Sequence, residues 1–266
     1  MFDRRALSNL GIHVYGLGAA AFGLVGLVWS IFASPWWPVQ ALPFSLPHRE
    51  ALAYIVAAGL LLGGVAMQWR RTAQAGVVVL TILYLMPALM WLIRVVGSPR
   101  SFGPWGEFLQ DFSLVAAGMV AYSFLAPRNT LWTLRAAQIG CFLYGICVVS
   151  YGLVHFFSLS GTARMVPKWI PPGQHFWAVT TGVFDLLAAI AILTGVLAVL
   201  ASRLLTVMLI GFGALVWAPL LFIAPHKHIV WAGNAINLAF IGAAWVVADS
   251  IASRKGQVQS PQDQAA

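Results

Sequence analysis

Eight apolar stretches dominate this chain, and each is long enough to cross a hydrocarbon layer about 30 Å thick. They fall at about 10–33, 50–68, 75–96, 111–126, 136–160, 176–198, 204–224 and 230–249. The fourth is short, and only Ser202 and Arg203 separate the sixth from the seventh, so seven helices is the alternative count. Charge agrees with a membrane protein: charged residues make up 8% of the 266, against about 25% in a soluble globular chain. That excludes a soluble, secreted or disordered protein. It also excludes a nucleic-acid binder, although the formal net charge is +8. The fold class is therefore all-α, a polytopic membrane protein.

The first stretch is too long for the hydrophobic region of a signal peptide and is expected to remain as a helix. Basic residues orient the chain. With the amino terminus in the cytoplasm, Arg4, Arg5, Arg70, Arg71, Arg128, Arg135, Arg203, Arg254 and Lys255 fall inside. Arg49, Arg94, Arg100, Arg164, Lys168 and Lys227 fall outside. The inner loops are short and carry tight basic pairs, so both termini are expected to be cytoplasmic. The tail after Ala252 reads as disordered. Cys141 and Cys147 lie six residues apart in one helix, about 9 Å along its axis. A disulfide bridges Cα atoms within about 7 Å, so both are read as packing residues.

The outer loops are rich in Trp and Pro. Trp36, Trp37, Trp105 and Trp169 suit an interfacial aromatic belt, with a lid over a cavity as the other reading. Two of these loops look like copies. Pro43, Pro47, Tyr54 and Gly59 match Pro167, Pro171, Trp177 and Gly182, and GLVW from Gly26 matches GLVH from Gly152. Pro87 in the third stretch matches Pro219 in the seventh. Residues 1–130 and 131–252 thus read as two four-helix repeats, with 253–266 a disordered tail. Four crossings return the chain to its starting side, so the repeats must be parallel, related by an axis along the membrane normal.

The halves differ in their polar residues. Asp185 is set against Leu62, His155 against Trp29, Asn237 against Ser113 and Asn234 against Gln110. Asp185 lies about 14 Å into its helix, where an aspartate costs at least about 2.5–3.5 kcal/mol unless paired, protonated or facing water. It reads either as a proton-handling or ligand-orienting carboxyl, or as an acid bonding a neighbouring helix. His155, on the preceding helix, approaches the same level from outside or simply bonds a carbonyl at the interface. Asn234 and Asn237 share a helix face, as amide links between helices or as companions of Asp185. These four are the candidate ligand or proton site. His226, His228, His175 and His48 lie on outer loops without Cys or carboxylate companions, and no metal is expected. Arg94 should snorkel to headgroups or pair with Asp111. No nucleotide-binding motif is present.

The segment VPKWIPPGQHFWAVTTGVFDLLAAIAIL from Val166 closely resembles the DoxX-like family of bacterial membrane proteins, whose outer-loop VPxWLP leads into FWxxxTGxxELLxGxGLL. The last helix, NAINLAFIGAAWVVAD from Asn234, resembles the family's Asn-Leu helix. The match is good over about 150–250 and faded in the first half, and Asp185 stands where the family usually has Glu. The resemblance implies a bacterial inner membrane protein, either an accessory subunit holding a quinone or lipid in a cavity of the second repeat, or a partner of a soluble or membrane oxidoreductase. A membrane oxidoreductase or isomerase using Asp185 for proton exchange, and a purely structural subunit, are the alternatives. Quinone is the candidate cofactor.

Overall fold

The computed structural model describes residues 4–32, 48–126 and 131–259. Trp36, Trp37, Pro43, Pro47 and Arg128 lie outside the described residues, so the matches and placements resting on them do too. The described chain is helical throughout: α1 Arg4–Trp29, α2 Arg49–Ala66, α3 Ala73–Gly97, α4 Phe102–Leu125, α5 Leu131–Phe157, α6 Leu159–Met165, α7 Gln174–Thr194, α8 Ala198–Phe212, α9 Ala218–Ile223 and α10 His228–Gln259. A π-helical turn, Gly213–Trp217, joins α8 to α9, and Pro219 just beyond it has no N–H to continue the α-ladder. The eight apolar spans are α1, α2, α3, α4, α5, α7, the continuous α8–α9 segment and α10. This is a multi-pass membrane protein.

Several boundaries differ from the sequence reading. The fourth span is not short but runs 24 residues from Phe102, because its first turns carry Trp105, Glu107 and Gln110 and break the apolar run. The turn between the sixth and seventh spans lies at Gly195 and Leu197, both with positive φ. Ser202 and Arg203 are inside α8, where the Arg203 guanidinium donates to Asp249 Oδ1 at 2.5 Å. An ion pair, rather than a loop, accounts for the arginine. The tail expected to be disordered after Ala252 continues as helix to Gln259.

Within each half, consecutive long helices are neighbours: α1–α2–α3–α4 and α5–α7–α8–α10. The halves join where α1 packs on α10 and α4 on α5, with α4 also touching α10. Buried positions recur with the same spacing. Ala53, Ala57, Leu60, Gly63 and Gly64 are buried on α2, and Ala178, Gly182, Asp185, Ala188 and Ala189 on α7. Leu60 and Asp185 thus take the same position in these two burial patterns, whereas Leu62 is 67% exposed, and Pro219 lies about two turns further along its helix than Pro87.

In lipid there is little hydrophobic force between helices, and close packing of small residues takes its place. The α1–α10 seam is built that way. A Cβ on Gly18 would collide with the Ala239 backbone, and one on Gly242 with the Tyr15 backbone. Gly242→Leu should cost about 3 kcal/mol or more, measured as lost thermal stability in detergent. Gly103→Leu, where a Cβ meets nothing within 4 Å, should change it by less than about 0.5 kcal/mol.

Candidate functional site

Two glycines set the site. A Cβ on Gly152 of α5 would stand 2.8 Å from the Gly182 carbonyl oxygen, and one on Gly182 of α7 would stand 2.6 Å from His155 Cβ. Their absence lets the two backbones touch. One turn after each glycine come His155 and Asp185, on the faces the helices share. The imidazole reaches back along α7 and brings Nε2 to 3.9 Å from Asp185 Oδ2. Asp185 lies eleven residues after Gln174, about 17 Å down the helix.

The two groups differ in access. The His155 side chain is 19% exposed and that of Asp185 5%. Among the described residues Asp185 Oδ1, which is buried, has no hydrogen-bond partner, a deficit that costs about 1–3 kcal/mol. On the other side of the imidazole Thr181 Oγ1 lies 3.4 Å from Nδ1, and the Thr181 hydroxyl donates to the Trp177 carbonyl at 2.8 Å. Nε2 is the ring nitrogen that faces the carboxyl, at a separation longer than a direct hydrogen bond.

Three residues that sequence reasoning missed stand behind the pair. Tyr144 and Tyr151 lie on α5 with His155, eleven and four residues before it. Tyr144 Oη is buried without a hydrogen-bond partner, while Tyr151 Oη lies 2.5 Å from Ser113 Oγ of α4. The polar cluster thus reaches across to the first half. A signal was present in YGICVVSYG, where the Tyr-Gly pair recurs after seven residues on one helix face.

Asn234 and Asn237 do not join this cluster. Asn234 Nδ2 donates to the carbonyls of Trp217 and Val230, both at 2.9 Å, and Asn237 Nδ2 to the Leu209 carbonyl at 3.4 Å. The reason is packing order: α10 lies on α8 and the π turn, whose Leu209 and Trp217 carbonyls accept from these amides. The four expected site residues separate into a His155–Asp185 pair and an asparagine pair that fastens α10 to its neighbour.

Other expectations are also placed. His228 packs against Trp29 with ring centroids 5.6 Å apart, and Arg94 lies over the Trp91 ring at 6.0 Å. Among the described residues no three His, Cys, Asp or Glu come together as metal ligands. Two concavities stand out, an open dish at Ser98–Ser101 and an apolar groove between α3, α4 and α5, and neither is lined by Asp185 or His155. The Trp- and Pro-rich loops serve as fastenings. Trp177 Nε1 donates to the Pro171 carbonyl at 2.8 Å, Trp105 to Pro99 at 3.0 Å and Trp231 to Pro225 at 2.7 Å. Gln174 Nε2 adds a bond of 2.6 Å to the Val166 carbonyl. Gly173, with φ of 150°, occupies backbone space that a side chain would forbid.

Asn234→Leu should lose about 0.5–1.5 kcal/mol of stability by removing its hydrogen bonds to the Trp217 and Val230 carbonyls. Thermal melting in detergent checks this, and the loss should be the same in the presence of Asp185→Leu, since the two polar pairs are separate.

Residues 136–218 match the sequence profile of the DoxX family. No curated protein and no solved structure matches the chain. The matched stretch contains α5, α7 and α8, and with them Gly152, His155, Gly182 and Asp185. The second half of this multi-pass membrane protein is where its similarity to the DoxX family lies.

Proposed function

We propose that the protein is a membrane subunit that binds a lipophilic molecule with an oxygen-bearing head, a quinone or a lipid, where α5 meets α7. The observation that carries this reading is the unpartnered Asp185 Oδ1, buried beside an imidazole that is itself partly open. A hydroxyl head lying against His155 would donate to this oxygen, a carbonyl head would accept from it with the carboxyl protonated there, and the apolar tail would stay among the lipid chains. The ligand then enters laterally between helices, so no enclosed chamber is needed. A soluble or membrane oxidoreductase partner fits this subunit role. A second reading, proton exchange with the bound head, is favoured by the orientation of Nε2 toward the carboxyl.

Decyl-ubiquinone binding to the purified protein, read by quenching of tryptophan fluorescence, tests the site. Wild type should show saturable quenching. Asp185→Asn and His155→Leu should fold and weaken it at least about tenfold, the loss of a charge-assisted hydrogen bond. Unchanged quenching in both variants would show that the pair only joins helices.

We also infer two parallel repeats and a cytoplasmic placement of both termini in the inner membrane. Matching close approaches support the repeat. Gly23 abuts Ala57 and Leu61 as Gly152 abuts Gly182 and Leu186, and Gly11 abuts Trp245 and Val246 as Gly140 abuts Met119 and Val120. In this register Gly26, not Trp29, corresponds to His155, and Asp111, not Ser113, to Asn237. The first half then has Gly26 and Leu60 where the second has the His–Asp pair. A cysteine at Ser101 should react with an impermeant maleimide on whole cells, and one at Ser253 only after permeabilisation. The reverse pattern would overturn the orientation.

A further inference from the structure

The apolar groove between the halves shares no lining residue with the His155–Asp185 pair. It has a volume of about 270 Å³ and runs between α3, α4 and α5, with Val78, Ile82, Met119 and Ala136 in its walls. Gly118 forms part of its floor. The polar atoms at its edge are already satisfied: Thr81 Oγ1 donates to the Val77 carbonyl at 2.7 Å, and Tyr122 Oη accepts from Gln74 Nε2 at 3.3 Å. Such a lining offers nothing to a polar molecule. It suits one hydrocarbon chain.

What lies at the end of the groove narrows the occupant. Gln74 is in the first turn of α3, and the loop just before that helix carries Arg70 and Arg71. Arg135 directly precedes Ala136 on the opposite wall. All three arginines are exposed. None takes part in an ion pair among the described residues, whereas Arg203, on the same face, is paired with Asp249. An apolar slot whose walls are preceded in the chain by three exposed arginines, none in an ion pair among the described residues, matches an amphiphile with a hydrocarbon tail and an anionic head.

We propose that this groove binds an anionic phospholipid, with one acyl chain along α3 and α4 and its phosphate among Arg70, Arg71 and Arg135. Native mass spectrometry of the full-length protein from nanodiscs holding equal phosphatidylglycerol and phosphatidylethanolamine tests this. Wild type should retain phosphatidylglycerol preferentially, and excess inorganic phosphate should not displace it. Each of Arg70→Gln, Arg71→Gln and Arg135→Gln should lower that preference by up to about fivefold, the equivalent of one juxtamembrane charge. Ala136→Trp, which fills the slot and keeps every arginine, should abolish retention of the bound lipid. Equal retention of both lipids by wild type, displacement by phosphate alone, or unaltered retention in the arginine variants and in Ala136→Trp would overturn the proposal.

Discussion

Where Gly152 meets Gly182, two helix backbones come into contact because neither carries a side chain at the crossing. Everything distinctive about the second half follows from that approach. It brings an imidazole from one helix against a carboxyl from the next, and it holds both one turn from the contact, where the helices cannot separate without losing their packing. Elsewhere the same device joins the halves, through Gly18 and Gly242 between α1 and α10. In a medium where apolar surfaces gain little by meeting one another, close backbone contact is the available means of fixing helices.

Against that packing, the polar groups fall into two kinds. Asn234, Asn237, Arg203 and the loop tryptophans each find a partner, and their bonds fasten one element to another. Asp185 Oδ1 and Tyr144 Oη find none, though both are buried. Groups of the first kind explain themselves as structure. A carboxyl oxygen left unsatisfied near the middle of a membrane helix costs stability with no packing return, whereas the buried face of α2 has Leu60 at the same place in its burial pattern. That contrast is what separates the His155–Asp185 pair from the asparagines as a site.

Much of this was legible in the sequence, and the failures have physical causes. Eight spans and the prominence of Asp185 and His155 follow from polar residues standing out in apolar helices. The α4 boundary did not, because Trp105, Glu107 and Gln110 belong to a helix that emerges at the interface. Ser202 and Arg203 imitated a turn, when the arginine had a buried acid 46 residues away. The spacing of Asn234 and Asn237 gives their shared face but not the neighbour it meets, which depends on helix order. Tyr144, Tyr151 and Ser113 were missed because a tyrosine or serine in an apolar helix looks like packing until its hydroxyl can be traced. The VPKWIPPGQHFW segment, which carries the family resemblance, is occupied with shaping the loop.

Infrared difference spectroscopy of the carboxyl region most directly separates a working acid from a helix link. Spectra would be recorded with and without decyl-ubiquinone, for wild type and for Asp185→Asn. The account predicts a carboxyl band that shifts on adding the quinone and is missing from Asp185→Asn. A quinone difference spectrum identical in the two proteins would contradict it.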